Sequence, residues 1–142
     1  MSLWDTSAIV PLCRNEDRSQ LARHLWLRFP VHYVWRESVV EVSSTLARLE
    51  RQGILAKGSR VNAERRLRSI ETQWIVIEPT DLQIDLAREF PAKYGLRTLD
   101  SLQLAAALVW CKEFPKNRDF IAADAHLLKA AKDAGFAVHD LS

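Results

Sequence analysis

The chain has 142 residues, 48% hydrophobic and 27% charged, with a net charge of +2. That length suits one domain, residues 1–142, with enough buried surface for a core that needs no staple. No apolar run approaches the roughly 20 residues that span a bilayer, and no secretory leader is recognisable. The low net charge argues against a bulk polyanion binder. Cys13 and Cys111 lie far apart and outside metal-type spacing. They read as free thiols packed on helices in a reducing cytoplasm.

In chain order, residues 2–4 read as a short strand entering Asp5, and residues 7–13 as a short helix. Residues 17–29 form a second helix with Leu21, Leu25 and Trp26 on one face. Residues 31–35 are a short β-like run after Pro30. Residues 37–52 carry Val40, Val42, Leu46 and Leu49 near helical period, and Gly53 ends that helix. An Arg-rich helix follows at 59–72. Residues 74–77 read as a buried-type strand, stopped by Glu78 and Pro79. Thr80 and Asp81 cap a helix to Tyr94 that Pro91 is expected to disturb. Residues 98–113 form a long Ala-rich helix, and 120–123 a strand. Asp124 caps a helix over 125–134 closed by Gly135, and residues 136–138 form a last strand. Strands alternating with helices predict an α/β fold with a small, mainly parallel sheet covered on both faces.

Four acidic residues stand where carboxylates are out of place. Asp5 follows Leu3-Trp4, Glu41 lies among Val39, Val40 and Val42, Asp100 opens an Ala- and Leu-rich run, and Asp124 follows Phe120-Ile121-Ala122-Ala123. Ionised carboxylates are costly to bury unless paired or metal-bound. Each has an innocent explanation as a helix cap or a first-turn acid. Jointly they are harder to dismiss, and Glu41 most of all, because Glu37 can already serve that helix terminus. In an α/β sheet ligands bind beyond the carboxyl ends of strands, which puts Asp5 and Asp124 on one edge. If the four converge, their repulsion calls for a divalent cation.

Positive charge is uneven. Between residues 46 and 70 seven basic residues face two acidic ones, so this stretch carries +5 and the remainder −3. A basic patch beside an acidic site suits a nuclease, although charge runs also serve simply to solvate helices. The four histidines have no zinc-type spacing, and His24 and His126 read as exposed helix residues. The five tryptophans read as core or interface, with Trp35 the one worth following.

Together these segments resemble a PIN domain, most closely a VapC-type toxin ribonuclease of a type II toxin–antitoxin system. The resemblance spans essentially the whole chain. It rests on SLWDTSAIVPL (2–12), ESVVEVSSTLARL (37–49), LRTLDSLQLAAAL (96–108) and FIAADAHLLKAAKDAG (120–135), where Asp5, Glu41, Asp100 and Asp124 fall on the family's four acids. It implies a PIN-like three-layer α/β/α fold of about five short strands. It further implies an endoribonuclease using one or two Mg²⁺ or Mn²⁺ ions. Asp5, Asp100 and Asp124 would be ligands, Glu41 would complete the site or position the attacking water, and Thr6 and Ser7 would support them. Asp119 is a secondary candidate that also reads as the residue leading into the strand. Arg97 and the basic stretch Arg48, Arg51, Arg65, Arg66 and Arg68 are candidates for guiding RNA. The resemblance also implies a cytoplasmic protein, a VapB-like antitoxin partner and a homodimer, with an interface around Trp26, Trp35 and Leu46 if those residues are not core. Two positions depart from the pattern: Ala122 stands where many members have Thr or Ser, and Trp4 where a smaller aliphatic residue is common. The missing hydroxyl is the one feature favouring an alternative, a catalytically silent RNA- or protein-binding module. A metal-dependent phosphatase would need a second Asp at position 7, which is Ser.

Overall fold

The computed structural model describes all 142 residues. Its elements are β1 (Ser2–Trp4), α1 (Thr6–Cys13), α2 (Ser19–Arg28), β2 (His32–Trp35), α3 (Ser38–Arg51), α4 (Lys57–Glu71), β3 (Trp74–Ile77), α5 (Asp81–Tyr94), α6 (Thr98–Trp110), β4 (Asp119–Ala122), α7 (Ala125–Ala134) and β5 (Ala137–Asp140). The strands form one sheet in the order β3-β2-β1-β4-β5, and every pairing is parallel. This is the PIN-like α/β/α architecture that the motifs imply.

Alternation along the strands divides the core. Leu3, Phe120 and Ala122 point to the layer built by α5, α6 and α7. Trp4, Val34 and Ile121 point to the layer built by α1 to α4, where Ile9, Val42, Leu46 and Leu67 pack. A parallel strand at the sheet centre is buried on both faces, so β1 reads as Ser-Leu-Trp with no exposed residue. Trp4 fills the α1–α4 side, and its indole N–H donates to the Ser2 hydroxyl at 2.9 Å. Trp26 stacks on His32 at 3.6 Å, and burial lowers the His32 pKa to about 4. Both cysteines are free and buried.

Local chemistry sets most element ends. Thr80 accepts from the Gln83 amide at the start of α5, and Gly95, at φ +67°, closes that helix in the left-handed region. Helix α2 starts two residues later than periodicity suggests. The Ser19 hydroxyl bonds the Glu16 amide and the Arg14 carbonyl, holding the preceding segment as a turn.

Several expectations need correction. Pro91 does not break α5, because it falls in the final turn, where one lost backbone bond is tolerated. Helix α6 ends at Trp110 rather than near 113, because Lys112 and Glu113 take φ of +53° and +61°. Strand β3 is an edge strand, not a buried one. Ile75 and Val76 are 49% and 40% exposed, so its β-branched composition reflects strand preference rather than burial. Trp35 and Leu46 belong to the core, which removes them from any dimer face. No helix is long and apolar enough to cross a membrane.

The two-core packing predicts a sharp contrast between leucines. Leu46→Ala, in the α1–α4 layer, should lower unfolding free energy by about 3 kcal/mol. Leu27→Ala, at a side chain 84% exposed, should change it by less than about 0.5 kcal/mol. Urea titrations followed by circular dichroism measure both, and equal midpoints would contradict the layer assignment.

Candidate active site

Strands β1 and β4 are adjacent and parallel, in register from Ser2 opposite Asp119 to Trp4 opposite Ile121. Their carboxyl ends therefore meet at one edge of the sheet. Asp5 is the first residue after β1 and the N-cap of α1, its carboxylate accepting from the Ser7 amide at 3.0 Å. Asp124 lies just past β4 and caps α7, accepting from the Leu127 amide at 2.8 Å. One hydroxyl ties the two strand ends together. Ser7 Oγ donates to Asp5 Oδ2 at 2.6 Å and accepts from the Ala123 amide at 2.8 Å. The Asp5 amide in turn donates to the Ile121 carbonyl at 3.0 Å.

The other two acids arrive from helix first turns, Glu41 on α3 and Asp100 on α6. All four line a single open cleft of about 400 Å³, together with Thr6, Ser7, Arg14, Glu16, Arg18, Thr45 and Arg48.

The carboxylates disturb one another. Asp5 is only 6% exposed. Burial pushes its pKa to about 6, with the Ser7 hydrogen bonds pulling it down and the Asp100 charge adding to the rise. Glu41 is pushed to about 7 by burial, then by Asp5, Asp100 and Glu37. The Thr6 hydroxyl opposes that rise at longer range, and its buried oxygen completes no hydrogen bond. Asp100 is raised by burial and by Asp124, while His126 and Arg97 pull it down. None of the four acids takes part in an ion pair. The uncompensated negative charge and all-oxygen donor set fit a hard divalent cation. No three His, Cys, Asp or Glu side chains stand close enough together to form a ready-made metal cluster.

The other expected residues divide. Arg48 lines the cleft, and Arg97 stands at the N-cap of α6 near Asp100. Arg65 and Arg66 line a different cavity, against α1. Arg51 and Arg68 are exposed and line neither cavity. Asp119 is a correction: it begins β4, at the opposite end of the strand from Asp124, and bonds His139 Nε2 at 2.8 Å. His24 and His126 are both exposed. His126 nevertheless sits beside the site, with its Nε2 3.3 Å from the Tyr94 carbonyl.

Arg14, Glu16, Arg18 and Thr45 also line the cleft and were not foreseen. Thr45 had a signal: Glu41, Thr45 and Arg48 are spaced i, i+4 and i+7, one helical face. The charged run from Arg14 to Arg18 has no such periodicity, and only the fold brings it to the cleft.

The raised pKa values predict how stability depends on pH. Folded Asp5 and Glu41 hold protons that the unfolded chain releases at lower pH. Their contribution is full below the ordinary carboxylate range and is lost as pH rises through about 6 to 7. In EDTA-treated buffer the melting temperature should fall between about pH 5 and about pH 8, and Asp5→Asn should flatten that fall. An identical pH profile for parent and variant would contradict the assignment.

Comparison with known proteins bears on the family and the fold. Residues 3–132 match the PIN domain family. No curated protein matches the chain significantly. Among solved structures, a toxin–antitoxin complex from Klebsiella pneumoniae is similar at 15% identity and a TM-score of 0.67, covering 100% of this chain and 98% of that one. The PAE2754 protein from Pyrobaculum aerophilum has 18% identity and a TM-score of 0.66, with 99% and 88% covered. FitAcB from Neisseria gonorrhoeae also has 18% identity and a TM-score of 0.66, with 99% and 98% covered. At such identities these neighbours speak for the fold, whereas the family match extends over nearly all of the sequence: the chain belongs to the PIN-domain family.

Proposed function

We propose that this cleft hydrolyses RNA phosphodiester bonds with the help of Mg²⁺ or Mn²⁺, and that the protein is the toxin of a VapBC-type pair. The observation that carries this reading is the arrival of four carboxylates from four separate elements at one cleft, none of them paired with a cation. Asp5, Asp100 and Asp124 would hold one or two ions, with Glu41 completing the set. A bound ion would supply Lewis-acid charge at the phosphate and make a water more acidic.

The protein's own groups have distinct tasks. Ser7 fixes the rotamer of Asp5 through its 2.6 Å bond, so that the carboxylate keeps one oxygen directed. Glu41, brought to the cleft by the first turn of α3, is suited to orient the attacking water and accept its proton. Arg48 and Arg97 flank the acids and offer charge to the scissile phosphate or its neighbours.

RNA as the substrate rests on the resemblance of the four motifs to VapC-type toxins. An antitoxin partner is supported by the toxin–antitoxin complex among the structural neighbours. A homodimer and a cytoplasmic location complete the reading, the latter supported by two buried free thiols. The alternative of a silent binding module loses its main support at Ala122. That side chain packs in the α5–α7 layer, so a hydroxyl there would face the core rather than Glu41.

Asp5→Asn and Asp100→Asn should each reduce RNA cleavage on the order of 100-fold or more while leaving the circular dichroism spectrum unchanged, and excess EDTA should do the same to the parent. Full activity in either variant or in EDTA would refute the nuclease reading. Mn²⁺ should raise the melting temperature of the parent in a concentration-dependent way, by about 2.7 kcal/mol of stability at a hundredfold excess over the dissociation constant. Stabilisation without cleavage of any RNA would favour the silent module.

A further inference from the structure

A second cavity adjoins the acidic cleft, between the end of α1 and helix α4. Its volume is about 530 Å³, within the roughly 300–1,000 Å³ typical of ligand sites. Arg14, Arg65 and Arg66 line it with Asn15, Asn62 and Ser59, and no carboxylate does. Arg14 is common to both spaces. It stands at the C-cap of α1, its side chain 20% exposed and its buried Nε without a hydrogen-bond partner. Its one ion pair, to Glu16, is long at 3.6 Å.

Two nearby acids have partners of their own, while Glu64 and Glu71 both lie within electrostatic reach of Cys13 on the cavity wall. Glu64 accepts from the Ser43 hydroxyl at 3.1 Å, and Glu50 pairs with Arg60 at 2.9 Å. Arg66 makes no ion pair, and Arg65 reaches only the Asn62 side chain at 3.4 Å. Arg65 and Arg66 therefore face open space without an ion-pair partner, beside Arg14 with its one long pair and among amide and hydroxyl neighbours. Such a set matches the oxygens of a phosphodiester, which guanidinium groups grip bidentately.

We infer that this cavity holds the backbone of the same RNA strand whose scissile phosphate lies in the acidic cleft, with Arg14 as the wall the strand crosses and Arg65 and Arg66 gripping a flanking phosphate. The inference rests on the nuclease reading and gives the strand a direction: from the carboxylates, past α1, to α4. It also sorts the basic stretch, because Arg51 and Arg68 have no part in this path.

The test is binding rather than cleavage, in EDTA, by fluorescence anisotropy of a labelled single-stranded RNA of about 15 nucleotides, near the upper end of usual site sizes. Arg65→Ala/Arg66→Ala should weaken binding on the order of tenfold at low salt. It should also make the slope of log affinity against log salt shallower by about 1.4, the share of two single-strand phosphates. Arg88→Ala/Lys132→Ala removes the same charge from exposed positions on α5 and α7, across the sheet, and should leave both quantities near those of the parent. Affinity and slope unchanged in the Arg65/Arg66 variant, with the parent binding and cutting RNA, would overturn this inference alone. A parent that neither binds nor cuts RNA would overturn the nuclease reading with it. An Arg65/Arg66 variant that binds RNA normally but loses an acidic protein partner would assign the cavity to that partner and overturn the RNA path.

Discussion

The parallel pairing of β1 with β4, locked by the Ser7 hydroxyl, is the constraint on which the site depends. Two adjacent parallel strands must end at the same edge, so Asp5 and Asp124 share an edge without any contact between their side chains. Ser7 then joins the turn after β1 to the turn after β4 by donating a hydrogen bond to Asp5 and accepting one from the Ala123 amide. Moving either strand by one residue would turn its side chains to the other face and break both bonds. The helices contribute by position: α3 and α6 present their first turns to that edge, and each carries an acid there.

Burying carboxylates opposes folding, and their neighbours' charges add to the cost: burial first, then nearby acids, raises Asp5, Glu41 and Asp100. Local structure offsets part of this. Asp5 and Asp124 each cap a helix through a backbone N–H, and Glu41 and Asp100 sit near the positive ends of helix dipoles. Capping and a place in the cleft are therefore not rival explanations of these residues. The cap geometry is what makes a carboxylate tolerable at a crowded strand end.

The two neighbouring spaces differ in charge: the cleft mixes carboxylates with Arg14, Arg18 and Arg48, and the second cavity has no carboxylate. The carboxylates face one space and Arg65 and Arg66 another, with Arg14 between them. On helices α3 and α4, Glu64 bonds Ser43 and Glu50 pairs with Arg60, so these two acids have partners within the helix pair. A strongly basic stretch in the sequence thus becomes a few directed guanidinium groups, and the remainder solvate the helix surface.

Element types, their order and the four acids were legible because they depend on local rules. Helical period marked α3, Gly135 closed α7, and Asp5 and Asp124 stood at strand-to-helix junctions where parallel topology allows only one edge. The motif resemblance supplied Glu41 and Asp100, which no local rule places near Asp5. Other features depended on contacts between residues far apart in sequence. Strand β3 carries the composition of a buried strand, yet sits at the sheet edge because strand order is a tertiary property. Asp119 is close to Asp124 in the chain, but a strand separates its ends in space, and His139 claims it. Arg14 and Arg18 belong to a charged run without periodicity, and only the packing of distant elements brings them to the cleft beside the acids. Capping, alternation and the placing of charge along the chain follow from near neighbours and could be read from the residues alone. Which charges face one another depends on strand order and on which helix covers which face, and so emerges only on folding.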